Sequence, residues 1–251
     1  MPSSSDVLST IDLTGYRIWL SGAVPESTEE PKPDVESPIE VWKGADAEND
    51  ILSLVQVFSA LVFKYGGEIV HGCQPSFTPI LLEQARRFLG ETVGQSPLQL
   101  FVSDFFGNDR NRRDWSRWER VASLAVTPKR EELSTSLKIL RETMTTECNA
   151  FVAIGGKWWA GEPGRAGVPI EFEMAKEAGM PCFVLGGFGG VSAEYAEREP
   201  EWYVGLNNRL TVEDNQFLAK NTSLGVVAGL VLAQLNRLQS NESGQSFQAN
   251  E

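Results

Sequence analysis

Ala150 to Lys176 reads AFVAIGGKWWAGEPGRAGVPIEFEMAK. The apolar run Ala150 to Ile154 ends in the pair Gly155-Gly156, a glycine-rich loop follows, and the spacing predicts a helix from about Val168-Pro169 onward. A continuous apolar run too short for a helix and closed by glycine is what a strand buried on both faces looks like. Proline is tolerated in the first turn of a helix, where its missing N–H would have no partner. Strand, glycine turn and helix together form one βα unit, and the fold depends on whether that unit recurs.

It recurs in both directions. Arg17 to Ser21 (RIWLS) reads as the first strand, ending at Gly22, and the polar stretch Glu26 to Pro38, with Pro31, Pro33 and Pro38, reads as a surface loop. Ile51, Leu54, Val55, Phe58, Leu61, Val62 and Tyr65 follow helical spacing up to Gly66-Gly67, and Glu68 to Val70 is the second strand. Ser76 or Thr78 is expected to cap a helix carrying Ile80, Leu81, Ala85, Phe88 and Leu89, before a third strand at Leu98 to Val102. A Trp- and Arg-rich segment, Asp104 to Arg120, interrupts the rhythm. The fourth strand is Val121 to Val126, followed by a helix with Leu133, Leu137, Leu140 and Met144 on one stripe. Cys182 to Leu185 is the sixth strand, ending at Gly186-Gly187, and a long final helix carries Leu224, Val227, Ala228, Val231, Leu232, Leu235 and Leu238.

The alternation predicts an α/β chain: a Rossmann-like open parallel sheet with helices on both faces. Residues 15–239 form one domain in this reading, with a frayed Ser-rich segment at 1–14 and a disordered polar tail at 240–251 (SNESGQSFQANE). With 251 residues and 41% hydrophobic composition, the chain is long enough for one sizeable core.

Composition narrows the function classes. A net charge of −12 opposes nucleic acid, whose binding relies on basic side chains that displace counterions, but a local group of N–H donors and cations can still hold a small phosphate-bearing ligand. The single histidine, His71, and three dispersed cysteines, Cys73, Cys148 and Cys182, supply neither a zinc set nor a disulfide framework. No metal or cofactor is expected, and a reducing, cytoplasmic setting fits. No apolar run approaches membrane-spanning length and the start has no signal-peptide pattern, so neither membrane nor secretion is expected. A monomer and a homo-oligomer are both open.

Small residues close four strands: Ser21-Gly22-Ala23, Gly72, Gly155-Gly156 and Gly186-Gly187. The carboxyl ends of parallel strands border the ligand crevice of such sheets, and glycine lets a ligand approach the backbone, although each glycine could equally serve only a turn. Gly167, Glu171 and Glu173 open the helix after the glycine loop, where the two acids either contact a ligand or simply complement the helix dipole. Inside the loop, Lys157 and Arg165 could meet phosphates, while Trp158 and Trp159 could stack on a base or pack on the sheet. Arg110, Arg112, Arg113, Arg117 and Arg120 alternate with Asp104, Asp109, Asp114 and Glu119, the pattern of a solvated, salt-bridged face. His71 either faces the crevice or is structural. Neither Ser21 nor Ser76 lies in a G-x-S-x-G elbow, so neither reads as a nucleophile.

Gly155-Gly156, Gly167 and Glu171 resemble the G-G-x-G-T-x-x-E motif of LOG enzymes, and with it the SLOG superfamily of SMF/DprA- and LOG-like Rossmannoid domains. Ten residues, Lys157 to Ala166, here stand between the glycine pair and Gly167, and Val168 replaces the motif threonine. LSGAVP (Leu20 to Pro25), IVHGCQPSFTPIL (Ile69 to Leu81) and EFEMAKEAGMPCFVLGGFGG (Glu171 to Gly190) are similar to the branch found beside TIR and sirtuin domains in prokaryotic conflict systems.

The resemblance implies binding of a nucleotide-derived ligand related to NAD or ADP-ribose, in the setting of nucleotide signalling and prokaryotic defence. Together with the strand-end and loop residues read above, the expected contacts are Ser21, Gly22, Ala23, Gly72, Thr78, Gly155, Gly156, Lys157, Arg165, Gly167, Glu171, Glu173, Gly186 and Gly187. LOG-type phosphoribohydrolases cleave an N-glycosidic bond with the motif glutamate and an arginine, which makes a Glu171-dependent N-glycosidase the alternative. The insertion and the replaced threonine favour a receptor, because a carboxylate can hold ribose hydroxyls without catalysis. A third reading is a protein-interaction module with a vestigial pocket that uses the Trp/Arg segment.

Overall fold

The computed structural model describes residues 11–25, 47–89, 96–157 and 167–248. Six strands, β1 (Arg17–Ala23), β2 (Glu68–His71), β3 (Leu98–Ser103), β4 (Ser123–Thr127), β5 (Ala150–Gly155) and β6 (Cys182–Leu185), form one sheet in the order β4-β3-β2-β1-β5-β6. Every neighbouring pair is parallel. The Rossmann-like α/β architecture expected from the alternation is therefore the observed one, with β5 in the interior between β1 and β6.

Strand periodicity divides the core into two layers, because successive side chains point to opposite faces. Ile18, Leu20, Ile69, Leu98, Leu100, Val152 and Ile154 point to the face covered by α1 (Ala47–Lys64), α2 (Thr78–Phe88) and α8 (Leu224–Gln248). Trp19, Val70, Phe101, Phe151, Ala153 and Val184 point to the other face, covered by α4 (Leu133–Glu147) and α5 (Gly167–Glu177). Trp19 and Phe151 are register partners and meet edge to face at 5.2 Å; Phe151 meets Phe172 of α5 at 6.0 Å. This aromatic chain fixes α5 against the centre of the sheet.

The Trp/Arg segment forms a short 3-10 turn, Asp104–Phe106, and then α3 (Asp109–Trp118), capped by Asn108, whose side chain accepts from the Asn111 N–H. Arg112 pairs with Asp104 and Arg117 with Asp114 on the exposed side. Two short helices, α6 (Pro200–Val204) and α7 (Val212–Lys220), follow β6 where the sequence reading assigned no element.

Structure is described on the outer side of both expected domain limits. Ile11 and Leu13 are buried in the main core, the Leu13 N–H donates to the Tyr65 carbonyl at 2.7 Å, and Asp12 N–H donates to Asn236 Oδ1 at 3.0 Å, so residues 11–14 are packed rather than frayed. Two apolar side chains at alternate positions suffice to anchor a segment whose composition is otherwise polar. At the other end α8 continues to Gln248, past the expected limit at 239. A nucleated helix gains a hydrogen bond with each added residue and polar side chains without proline do not stop it. The α4 stripe also rotates: Ser136, Leu140, Arg141 and Met144 are buried, whereas Leu133 and Leu137 are only half-buried. The polar insertion Glu26 to Pro38, together with Trp158, Trp159 and Arg165, lies outside the described residues.

The packing of the N-terminal segment has a measurable consequence. Leu13→Ala should lower stability by about 2–5 kcal/mol, as for other fully buried leucines, seen as an earlier denaturant midpoint. A midpoint unchanged by the substitution would mean that residues 11–14 are not part of the folded core.

Candidate functional site

The order β4-β3-β2-β1-β5-β6 means that the chain steps outward from β1 to β4 and then returns to build β5 and β6 on the opposite side of β1. Connections diverge between β1 and β5, and open α/β sheets leave a crevice at the carboxyl ends of such strands. A cavity of about 180 Å³ lies there. Leu20, Ser21, Gly22 and Ala23 line it from β1; His71, Gly72 and Gln74 from the end of β2; Lys157, Gly167, Val168 and Glu171 from beyond β5.

Glu171 reaches the cavity because of helix phase. Val168, Phe172 and Ala175 form the buried stripe of α5, and Glu171 lies on its edge, three residues after Val168 and four before Ala175. Ser21 shares the sheet face of Trp19 by strand alternation and so points toward the same helix. Its hydroxyl donates to Glu171 Oε2 at 2.6 Å, while Arg141 Nε of α4 donates to Oε1 at 3.3 Å. The side chains of Arg141 and Glu171 are only 6% and 18% exposed, so this ion pair is sheltered from the screening that weakens surface pairs. Each carboxylate oxygen keeps a further lone pair for a ligand hydroxyl.

His71 is structural in its contacts. Its Nδ1 bonds the Leu20 carbonyl at 2.9 Å and its Nε2 accepts from the Gln74 N–H at 3.1 Å, which together set a neutral ring protonated at Nδ1. The ring stacks on Phe77 and ties the ends of β1 and β2 together. Burial pushes the His71 pKa below its ordinary value, against the opposing pull of the Leu20 carbonyl and the Glu171 charge.

Neither Ser76 nor Thr78 caps α2. The N-cap position is Phe77, without a side-chain cap, and the Thr78 hydroxyl is buried and donates to the Gln74 carbonyl at 2.8 Å. Gln74 does the organising: its Oε1 accepts from the Ser76 N–H at 2.7 Å, the Ser76 hydroxyl at 2.5 Å and the Phe77 N–H at 3.3 Å. Ser76 Oγ in turn accepts from the Val24 N–H at 3.1 Å, joining this turn to the end of β1.

The glycine pair at the end of β5 borders the crevice without lining the cavity. Gly155 and Gly156 have φ of +62° and +101°, and a Cβ on Gly156 would lie 2.5 Å from Val191 and 2.7 Å from Val168. Their conformation lets the segment after β6 pack onto the end of β5, where the Val191 N–H donates to the Gly156 carbonyl. Gly186 and Gly187 are packed against the backbone of Ala219 and Asn221, away from the cavity. Glu173 is exposed, two residues and therefore roughly 200° round the helix from Glu171. Of the expected contacts, the structure thus gathers Ser21, Gly22, Ala23, Gly72, Lys157, Gly167 and Glu171 at one cavity, and leaves Thr78, Gly155, Gly156, Glu173, Gly186 and Gly187 outside its lining.

Two residues at this site escaped the sequence reading. Arg141 stands four residues after Leu137 and three before Met144, and an arginine on the flank of an apolar stripe was the available signal. Gln74 had only its place before Pro75 to mark it. Cys73, beside it, is not an activated nucleophile, since burial pushes its thiol well above the ordinary range.

Comparison with known proteins agrees with the motif. Residues 109–199 match the family model described as SLOG cluster2, a stretch that includes Arg141, Gly155-Gly156, Lys157 and Glu171. The match supports the SLOG superfamily. No curated protein matches the chain. A solved X-ray structure of TM1055, a structural genomics target, aligns at 15% identity over 73% of this chain and 81% of its own, with a TM-score of 0.43. Among the described residues no group of three or more His, Cys, Asp or Glu comes together as a metal site, and no helix is long and apolar enough to cross a membrane.

The buried neutral imidazole gives a pH dependence of definite sign. The unfolded chain binds the His71 proton near pH 6.5 and the folded chain only at lower pH, so the stability linked to this group is complete above that value and declines as pH falls below it. The stability difference between wild type and His71→Gln should therefore narrow between pH 7.5 and pH 5.5 in urea titrations. A constant difference across that range would show that burial does not hold the ring neutral.

Proposed function

We propose that this chain is a SLOG-type receptor for a small nucleotide-derived ligand, of the kind related to NAD or ADP-ribose. The observation that carries the reading is the Glu171 carboxylate, held between Ser21 and Arg141 in a cavity at the sheet's switch point. A carboxylate so placed accepts hydrogen bonds from ribose hydroxyls, as acidic residues do in dinucleotide-binding sheets. The start of α5 and Lys157 give the same cavity a positive side for phosphate oxygens. Its volume is below the roughly 300–1,000 Å³ of drug-sized pockets, which suits a single nucleotide unit better than an entire dinucleotide. The resemblance to the branch associated with TIR and sirtuin domains supports a sensor in prokaryotic nucleotide signalling and defence.

A second reading rests on Arg141. LOG-like enzymes pair the motif glutamate with an arginine, and Arg141 supplies an arginine to Glu171, which supports cleavage of a nucleotide N-glycosidic bond. In that case Glu171 would stabilise positive charge developing at the anomeric carbon. The receptor reading is preferred because the ten residues between Gly156 and Gly167 alter the loop on which the hydrolase motif depends.

Incubation with AMP, ATP, NAD, ADP-ribose and cyclic ADP-ribose, followed by mass spectrometry of bound and converted species, separates the two. A receptor retains its ligand intact, and Glu171→Gln weakens binding by about 1–3 kcal/mol through loss of a charged hydrogen-bond acceptor. Base release by the wild type that disappears in Glu171→Gln would establish the hydrolase instead. Binding and turnover unaltered in the variant would reduce Glu171 to a helix-start acid.

A further inference from the structure

Gln74 carries a donor that its own turn does not use. The groups facing its Oε1 are the backbone N–H of Ser76 and Phe77, which can only donate, so the atom meeting them is the oxygen and the amide orientation is determined. Nε2 is then the free end. Among the described residues it has no hydrogen-bond partner, and it is not an enclosed polar atom, while Gln74 itself lines the cavity.

Its place relative to the other polar groups is set by the sheet order. Gln74 follows β2, Ser21 ends β1, and Lys157 with the start of α5 follows β5, so Gln74 and the positive side stand on opposite walls with β1 between them. Two strand spacings separate those walls, roughly 10 Å, comparable to the reach of a mononucleotide from phosphate to base. With phosphate toward Lys157 and ribose over Glu171, the base falls on the Gln74 side.

We infer that Gln74 is a specificity-determining residue whose amide protons read a hydrogen-bond acceptor, a ring nitrogen or carbonyl oxygen, on the base of the bound nucleotide. The inference rests on the nucleotide-receptor reading and adds the polarity of the base contact to it. A site built to donate discriminates against a partner that offers only donors there, because both sides would then be left unpaired. Gln74 is held ready for this: three bonds to Oε1 and one from its own N–H to His71 fix the residue before a ligand arrives, so little side-chain freedom remains to be lost.

Gln74→Glu is the discriminating variant, since a carboxylate keeps an acceptor for Ser76 and Phe77 while exchanging the Nε2 donors for a second acceptor. Isothermal titration with ADP-ribose and with ribose 5-phosphate, which has the phosphate but no base, should show ADP-ribose weakened about tenfold or more in the variant and ribose 5-phosphate changed less than about twofold. Equal weakening of both would mean that Gln74 faces phosphate, and unchanged binding of both would mean a purely structural role; either overturns the inference and leaves the receptor reading standing. Failure of the wild type to bind ADP-ribose or AMP would remove the receptor reading, and this inference with it. A readout independent of any variant is the Gln74 Nε2 proton pair in wild-type NMR spectra, which should shift with ADP-ribose and remain in place with ribose 5-phosphate. A shift of equal size with both would also overturn the base contact.

Discussion

The pairing of β1 with β5 is the constraint on which the rest of the molecule depends. These strands are far apart in sequence, yet six register pairs join them, from Ile18 with Ala150 to Ala23 with Gly155. That register sets Trp19 against Phe151 on one face and Leu20 beside Val152 on the other, so both core layers take their alignment from it. A slip of one residue would turn each side chain to the opposite face and bury Ser21 among the residues that now pack on α1. The same pairing creates the switch point. Because β2 adds to one side of β1 and β5 to the other, the loops after these strands separate and leave room for a ligand.

The polar site is an extension of apolar packing. Phe172 is buried against Phe151, and that contact holds α5 in the rotation that brings Glu171 to Ser21. Leu140 and Met144 hold α4 against Val70 and Phe101 on the same layer, and the arginine between them is thereby directed at the carboxylate. A buried ion pair of this kind is weak evidence for stability, since desolvation of both groups offsets much of the attraction. Of the two partners, Glu171 lines the cavity, and Arg141 and Ser21 hold its carboxylate there.

The opposite wall follows another logic. Around His71 and Gln74 the groups involved are mostly backbone donors and acceptors: the His71 and Ser76 side chains bond the end of β1, and the Gln74 side chain holds Ser76 and Phe77 in the turn after β2. A turn organised in this way has little freedom, and rigid positioning of a donor is what specific recognition requires. One wall therefore offers charge and the other a neutral, oriented amide.

Local pattern was enough to identify the α/β class, all six strands, the principal helices and the segment with the glycine pair and Glu171, because alternation, helical spacing and glycine stops are properties of neighbouring residues. It was also enough to bring Ser21, Gly22, Gly72 and Lys157 into consideration, since residues at strand ends of a parallel sheet share one edge. It did not separate glycines that line a cavity from Gly186 and Gly187, which meet the backbone of a helix not recognised in the sequence, nor Glu171 from Glu173, which differ in helix phase relative to a sheet not yet placed. Arg141 lies on the flank of an amphipathic stripe and Gln74 in a turn, and neither position by itself signals a site. Their roles come from contacts across 30 residues for Arg141 with Glu171 and from the convergence of three strand ends for Gln74, and such long-range coincidences arise only when the strands are ordered and in register.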